Sequence, residues 1–268
     1  MIITSTSNEK IKNVKKLIKS SGERNKQGLY IIEGIRMFKE IPKEQIASVF
    51  ISEGMLSKYE NELSLVFGKK VDEADDMINI LPDKLFSQIS DTITPQGILA
   101  LVYMNKYTIE DIMQMSKTAN SFYLIIERLQ DPGNLGTIIR TSEAAGVTGI
   151  ILSKDCVDLY NPKVVRSTMG AVLRVPVCVS DELLKDIDIL KNNNITIFGA
   201  HLNGTEFYDK DYKRPCAFLI GNEGNGLSVE VSKKADELIK IPMLGKVESL
   251  NAATSTAVIA YEVLRQRR

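Results

Sequence analysis

The chain has 268 residues, 44% hydrophobic and 25% charged, and its 34 basic and 34 acidic side chains leave a formal net charge of zero. This composition is typical of a soluble globular protein of one or two domains, and the absence of an apolar run near 18 residues or of a signal-peptide pattern predicts no membrane span. Three scattered cysteines and a single histidine argue against a disulfide framework and a metal site, so a reducing, cytoplasmic setting is expected.

The first predicted element is a basic amphipathic helix. Thr6 and Glu9 fit a capping box, and apolar residues then recur at helical spacing with lysines between them: Ile11, Val14, Leu17 and Ile18. Residues 1–28 carry seven basic and two acidic side chains, a net charge of +5 in a chain that is neutral overall. A basic end suits contact with nucleic-acid phosphates, although a cationic helix face is more often simply solvated.

Strand-like and helical segments alternate in the first hundred residues. The strand-like segments are residues 29–32, 48–51 and 98–103. This alternation predicts a small α/β domain over residues 1–105. A polar stretch, residues 106–120, with one short helix over residues 108–115, is predicted to link it to a second domain over residues 121–268.

The second half of the chain repeats a strand-helix alternation. Its strand-like segments are residues 122–126, 149–152, 175–177, 195–198, 217–220 and 238–241. Such an alternation predicts a mainly parallel sheet covered by helices on both faces. His201 follows one of these segments and is expected in a solvent-exposed loop.

A polar turn follows the first strand of this half. Residues 131–141 read Asp-Pro-Gly-Asn-Leu-Gly-Thr-Ile-Ile-Arg-Thr and lead into a helix that is predicted to end at Gly146. Asn134 lies near the start of this helix, where an N-cap is its ordinary role. Arg140 lies two turns further on, where an arginine is ordinarily a solvated surface cation.

A glycine-rich turn follows the predicted strand 217–220. Gly221, Gly224 and Gly226 stand in G-x-x-G-x-G order, which allows a tight turn and a close approach of another molecule to the backbone. The turn lies at the carboxyl end of a strand, where open α/β sheets bind ligands. A lone glycine turn is more often an ordinary strand-helix joint, so a binding site needs support from other residues.

Two short segments precede the final helix. They read Ile241-Pro242-Met243 and Ser249-Leu250-Asn251, and Ser249 and Asn251 both suit a helix cap. The final helix itself is predicted to carry an apolar face formed by Ala253, Ala257, Val258 and Tyr261.

In order and spacing, these segments resemble the motifs of the SpoU family, also called the TrmH family, within the SPOUT superfamily of S-adenosylmethionine-dependent RNA methyltransferases. Residues 134–140, 220–227 and 241–251 are similar to the first, second and third family motifs. Residues 3–36 and Thr94-Pro95-Gln96-Gly97 are similar to the family's substrate-binding domain. The resemblance therefore covers nearly the whole chain.

The resemblance implies a fold and a cofactor. The fold is α/β, with a mainly parallel carboxyl-terminal sheet tied in a trefoil knot and a smaller amino-terminal α/β domain resembling a ribosomal protein. The cofactor is S-adenosylmethionine, held in the knot mostly by backbone groups. The matching cofactor-binding positions are Gly221, Ile241, Leu250 and Ala200.

The resemblance also implies catalytic residues for methyl transfer to a ribose 2′-hydroxyl: Arg140, Asn134, Glu223, Ser249 and Asn251. Arg140 matches the arginine beside that hydroxyl and the adjoining phosphate. Because a guanidinium group is not deprotonated in proteins, electrostatic support of a developing alkoxide is easier than a role as base. Asn134 would help place Arg140 or the ribose, while Glu223 would fix neighbouring groups or accept a proton through water.

The implied partner is RNA, with 23S ribosomal RNA as the expected substrate, Arg24, Arg36 and Arg166 as RNA-facing residues, and no metal. For Arg166 a surface ion pair is nearly as good an explanation. A homodimer formed through the carboxyl-terminal domain is also implied. Two alternatives stay open: the same reaction on tRNA, and a catalytically silent RNA-binding or ribosome assembly factor with this fold. A nucleotide hydrolase or dehydrogenase is disfavoured because the phosphate-binding glycine motifs of those enzymes are missing.

Overall fold

The computed structural model describes residues 1–69, 77–116 and 120–268. The chain divides into two compact units: Met1–Asn105 with Tyr160–Leu173, and Lys106–Leu159 with Arg174–Arg268. Part of the predicted linker, residues 117–119, lies outside the described residues. The predicted domain bounds assigned residues 160–173 to the second domain, whereas in the structure this segment packs with the first unit.

The described helices are α1 Glu9–Lys19, α2 Ser21–Gln27, α3 Ile35–Phe38, α4 Leu56–Phe67, α5 Asp83–Ser87, α6 Ile109–Met115, α7 Pro132–Ala145, α8 Pro162–Ser167, α9 Leu183–Asn192, α10 Val229–Ser232 and α11 Ala252–Gln266. The described strands are β1 Leu29–Glu33, β2 Ile46–Ser52, β3 Ile78–Leu81, β4 Ile98–Tyr103, β5 Phe122–Ile126, β6 Gly149–Ser153, β7 Val177–Ser180, β8 Thr196–Glu206, β9 Cys216–Ile220 and β10 Glu237–Lys240. No described helix is both long enough and apolar enough to cross a membrane.

The first unit is built on a sheet whose described strands run in the order β1-β4-β2-β3. β4 is antiparallel to both of its neighbours, and β2 and β3 are parallel. Strand β3 was not predicted from the sequence, because Asn79 interrupts its apolar pattern. Asn79 is nevertheless fully buried, since its amide donates hydrogen bonds to Ser48 Oγ at 2.8 Å and to the carbonyl of Val49 at 3.1 Å.

Helix α1 has the predicted apolar stripe but a different cap. Asn8, and not Thr6, is the N-cap, because its side chain accepts the Lys10 N–H at 2.9 Å. The prediction of a Thr6–Glu9 capping box is therefore wrong. Ile11, Val14 and Leu17 are fully buried and form one core with the sheet.

The second unit contains a sheet in which every described pair of strands is parallel, in the order β10-β8-β9-β5-β6-β7. The predicted parallel sheet is thus confirmed. From β5 the chain adds β6 and β7 on one side, whereas β9 pairs with the other side of β5. The order therefore reverses between β5 and β9, and open α/β sheets bind ligands beyond the carboxyl ends of the strands at such a point.

Both helices that frame this point have clear end signals. Asp131 caps α7 by accepting the Asn134 N–H at 2.7 Å, Pro132 occupies the first turn, and Gly146 ends the helix at a φ of 74°. The predicted end at Gly146 is confirmed, while the cap is Asp131 and Asn134 lies inside the first turn. Asn251 caps α11 as expected, accepting the N–H groups of Ala253 and Thr254.

The apolar face of α11 differs from the prediction. Its buried residues are Ala252, Ala253, Thr256, Ile259, Ala260, Glu262 and Val263. Tyr261 is instead 50% exposed. Thr256 reaches a buried position because its hydroxyl donates to the carbonyl of Ala252 at 2.7 Å. This bond satisfies the hydroxyl inside the core.

Two predicted strands differ from the structure by more than two residues at one end. The prediction over residues 175–177 corresponds to β7, Val177–Ser180. The prediction over residues 195–198 corresponds to the longer β8, Thr196–Glu206. The extension of β8 contributes to the site described next.

Candidate active site

The glycine-rich turn directly follows β9 and closes on itself. Backbone hydrogen bonds link Asn222 N to Gly226 O at 3.0 Å and Gly226 N to Asn222 O at 2.9 Å. Gly226 has a φ of 64°, a conformation that favours glycine. A β-carbon on Gly221 would lie 2.2 Å from the carbonyl carbon of Gly226, so the turn requires glycine at both ends.

A long bulge in β8 forms the wall of the site opposite the glycine turn. β10 pairs with β8 at Gly199 and again at Thr205, so residues 200–204 bulge out of the ladder. Gly204 lies against the backbone of β10, where a β-carbon would approach the carbonyl carbon of Ile239 to 2.4 Å. The bulge carries His201, which is half-buried and accepts the Asn203 N–H through Nδ1 at 3.1 Å. The prediction of a solvent-exposed loop histidine is therefore wrong.

Between these walls lies a cavity of about 390 Å³. This volume falls in the usual range of small-molecule sites. The cavity is lined by the glycine turn, the bulge of β8, the segment after β10 and the start of α11. All four predicted cofactor residues line it: Gly221, Ile241, Leu250 and Ala200. Their role in binding a cofactor stays a prediction.

A chain of hydrogen bonds lies at the rim of this cavity. Glu223, which lines the cavity, accepts Asn134 Nδ2 at 3.0 Å, and Asn134 Oδ1 accepts Asn251 Nδ2 at 2.9 Å. The three residues come from the glycine turn, α7 and the cap of α11. Asn251 Oδ1 is itself fixed by the first N–H groups of α11, so the orientation of each amide is determined by its neighbours.

The carboxylate of Glu223 is held in its ionised form. Partial burial raises its pKa, but hydrogen bonds from Asn134 and from the backbone N–H groups of Asp131 and Gln130 outweigh burial, so the pKa lies below its ordinary value. A carboxylate stabilised in this way is a poor proton acceptor. Its geometry and charge favour a role in orienting Asn134.

Arg140 is exposed on α7, six residues after Asn134. This spacing separates the two by about 9 Å along the helix axis. Within the described residues the guanidinium group of Arg140 forms neither a hydrogen bond nor an ion pair, so its charge is available to a ligand. Ser249 is exposed and lines the cavity.

Arg24, predicted to contact RNA, is only 3% exposed. Its Nη1 donates to the carbonyls of Leu17 and Ile18 at the end of α1. Arg24 therefore satisfies helix-terminal carbonyls. This burial is at odds with a direct RNA contact, so we leave Arg24 out of the RNA-facing surface.

The other two predicted RNA-facing arginines differ from each other. Arg166, on α8, forms an ion pair with Asp91 at 2.6 Å, both side chains being partly exposed. The surface ion pair considered for Arg166 is thus present. Arg36 is exposed on α3 and makes no hydrogen bond or ion pair among the described residues. Only Arg36 of the three presents an unpaired charge.

One residue with several contacts at the site was not singled out by sequence. Asn222 lines the cavity, and its side chain forms hydrogen bonds on both of its polar ends. Its signal was an asparagine two residues before a glycine, a pattern typical of a side chain that bonds to its own turn.

Comparisons with known proteins agree with this geometry. Residues 121–261 match the model of the SpoU rRNA Methylase family, and residues 8–100 match an MRM3-like substrate binding domain. The sequence is 32% identical to 23S rRNA (guanosine(2553)-2′-O)-methyltransferase RlmP of Bacillus subtilis. The alignment covers 97% of this chain and 98% of the relative.

Two solved structures extend the comparison. An AdoMet-bound rRNA methyltransferase from Sinorhizobium meliloti is 26% identical, with a TM-score of 0.82 over 99% of this chain and 97% of its own. The TrmH/SpoU tRNA modifying enzyme of A. aeolicus is also 26% identical, but its TM-score is 0.51, over 59% of this chain and 82% of its own. With a family match over more than half of its length, the chain belongs to the SpoU rRNA methylase family.

Proposed function

We propose that this protein transfers a methyl group from S-adenosylmethionine to a ribose 2′-hydroxyl of large-subunit ribosomal RNA. The observation that carries the proposal is the hydrogen-bonded chain Glu223–Asn134–Asn251 at the rim of the glycine-turn cavity. It combines a cavity sized for a small molecule with fixed polar groups at its mouth, beside the helix that bears Arg140.

The cavity fits the cofactor in size and chemistry. Apolar side chains such as Ile220 and Leu227 suit an adenine ring, and exposed backbone of the glycine turn suits its polar edge. The carboxylates of Glu223 and Glu248 line the same cavity, where negative charge attracts a sulfonium group. When bound, S-adenosylmethionine supplies an activated methyl group on positively charged sulfur.

The protein's own contribution is placement and electrostatics. Gly221, Ile241, Leu250 and Ala200 hold the donor mainly through backbone groups and shape. Arg140 would stabilise the negative charge that develops on the ribose oxygen and orient the adjoining phosphate, while the hydroxyl proton would leave to solvent water. Asn134, Glu223, Asn251 and Ser249 fix the acceptor side.

Two findings favour ribosomal RNA over tRNA as the substrate. The rRNA enzymes of B. subtilis and S. meliloti match this chain over at least 97% of its length, whereas the tRNA modifying enzyme matches 59%. Residues 8–100 also match a substrate binding domain, which would select the RNA. The intact residues Asn134, Arg140, Glu223 and Asn251 count against a catalytically silent assembly factor.

Three features complete the proposal: a trefoil knot, a homodimer and a cytoplasmic location. The knot is supported by the path from β10, at one edge of the sheet, to Asn251, which bonds Asn134 beside the central strand β5. The dimer, formed through the second unit, is supported by exposed apolar side chains there: Leu202, Leu244, Val247 and Tyr261. The location follows from the ribosomal substrate.

Incubation of the purified protein with labelled S-adenosylmethionine and transcripts of 23S rRNA or tRNA tests the proposal. We expect label in 23S rRNA, mapped to one ribose by its resistance to alkaline cleavage, with guanosine 2553, the position in the name of the B. subtilis relative, tested first. Label in tRNA alone would replace the substrate, and no transfer to either RNA or to intact subunits would reject the activity. Light scattering of the same sample tests the dimer.

A further inference from the structure

The side chain of Asn222 connects the two halves of the proposed active site. Its Oδ1 faces the glycine turn and its Nδ2 faces the segment that leads into α7. Asn222 itself belongs to the turn and lines the cavity.

On the donor side, Oδ1 fixes the shape of the turn. It accepts the N–H groups of Gly224 at 2.9 Å and of Asn225 at 3.2 Å. Together with the two backbone bonds between Asn222 and Gly226, these contacts hold the turn in one conformation. A preorganised backbone loses less conformational entropy when it binds a ligand.

On the acceptor side, Nδ2 donates to the carbonyl of Arg128 at 2.8 Å and lies 3.4 Å from Glu223 Oε2. Arg128 has a φ of 53°, which is uncommon for a residue other than glycine. Its carbonyl also accepts Gln130 Nε2 at 3.1 Å. These contacts fix the start of the turn that ends at Asp131, the cap of α7.

We propose that Asn222 is a positioning residue, which sets the glycine turn and the Glu223–Asn134 pair in register for methyl transfer. The proposal rests on the proposed function. It requires both ends of the carboxamide: the oxygen for the turn, and the N–H groups for Arg128 and Glu223. One substitution can remove the N–H groups alone, and another can remove the oxygen and the N–H groups together.

Asn222→Asp keeps an acceptor for the turn but removes the donor. It also places a second carboxylate about 3.4 Å from that of Glu223, and neighbouring like charges raise the pKa of one of them. We expect S-adenosylmethionine affinity within about threefold of wild type and kcat at least about tenfold lower at pH 8. The kcat deficit should shrink as the pH is lowered, because protonation of one of the two carboxyl groups restores an O–H donor.

Asn222→Ala removes both ends. We expect S-adenosylmethionine binding about tenfold weaker, and a kcat deficit that does not change as the pH is lowered. Asn61→Asp, at an exposed position of α4 in the other unit, is the matched control for the amide-to-acid change and should behave as wild type.

Three measurements on each variant test the proposal: calorimetry with S-adenosylmethionine, kcat and KM on 23S rRNA over a series of pH values from pH 8 downward, and thermal unfolding. Wild-type kcat in Asn222→Asp, or a deficit that does not change with pH, overturns the proposal. A lowered unfolding temperature with unchanged kinetics overturns it too, because it shows a purely structural role. If wild type itself binds no donor and methylates no RNA, the proposed function fails, and this inference fails with it.

Discussion

The proposed donor and acceptor sides of the site differ in the kind of groups that form them. The donor side is mainly backbone: a glycine turn after β9, a bulge in β8 and the segment after β10. The acceptor side is a set of side chains in which Glu223, Asn134 and Asn251 orient one another. The donor side should therefore be sensitive to added side-chain atoms, and the acceptor side to altered functional groups.

The largest expected effect separates the two sides at Arg140. Arg140→Ala should lower kcat for RNA by about 10²–10³-fold, because it removes the charge that stabilises the reacting oxygen. The affinity for S-adenosylmethionine, measured by calorimetry, should stay within about twofold. Arg140→Lys keeps the positive charge but lacks the planar guanidinium group, so its kcat should lie between those of wild type and Arg140→Ala. If a folded Arg140→Ala protein lost S-adenosylmethionine affinity as much as it lost kcat, the assignment of Arg140 to the acceptor side would be contradicted.

Gly221→Val tests the donor side. Because a β-carbon at this position meets the backbone of the returning turn at 2.2 Å, we expect S-adenosylmethionine affinity at least about tenfold weaker and a lower unfolding temperature. Gly245→Val is the matched control, since a β-carbon on Gly245 meets nothing within 4 Å. Unchanged calorimetric affinity in a folded Gly221→Val protein would remove Gly221 from the site.

Glu223→Gln tests whether charge orients the acceptor side. We expect kcat about tenfold lower, because a neutral amide cannot accept from Asn134 and both backbone N–H groups as well as a carboxylate does. The lowered pKa of Glu223 also has a pH signature. Ionised Glu223 contributes its full stability above its ordinary pKa of 4.5, and this contribution is lost as pH falls through the lower folded-state value.

The difference in stability between wild type and Glu223→Gln should therefore shrink as pH falls below 4.5, as measured by urea unfolding at a series of pH values. A difference that grows in acid would show that the carboxyl group is protonated in the folded protein. Glu223 would then be available as an acid or base after all.

The smallest effects are expected in the first unit. There Arg24 is used within the fold, whereas Arg36 is free to contact a ligand. Arg24→Ala should lower the free energy of unfolding by about 1–3 kcal/mol, because it leaves the carbonyls of Leu17 and Ile18 without their donor.

Arg36→Ala should leave thermal unfolding unchanged and weaken RNA binding about two- to threefold, with a smaller salt dependence. If Arg24→Ala instead weakened RNA binding and left the free energy of unfolding unchanged, Arg24 would belong to the RNA-facing surface.

Features set by local sequence were predictable. Gly146 ends α7 and Asn251 caps α11 because each residue type suits its backbone position. The parallel sheet followed from the alternation of apolar strands with helices, and the family followed from three motifs in order. These predictions of fold and family are confirmed.

Features set by tertiary contacts were not predictable. Arg24 is buried because carbonyls at the end of α1 satisfy its charge, and Asn79 because Ser48 and Val49 satisfy its amide. In the alanine-rich helix α11, apolar periodicity is too weak to identify the buried face. The place of His201 depends on a bulge between β8 and β10, which no local pattern marks.

The bond between Asn134 and Asn251 joins residues 117 positions apart. At typical synthesis rates of about 5–20 residues per second, roughly 6 to 23 seconds separate their emergence during translation. Throughout that interval the carboxamide oxygen of Asn134 lacks its protein donor, and α11 has not yet formed. The hydrogen-bonded chain Glu223–Asn134–Asn251 therefore cannot be complete before residue 251 has been synthesised, so the proposed acceptor side of the site is finished late in folding.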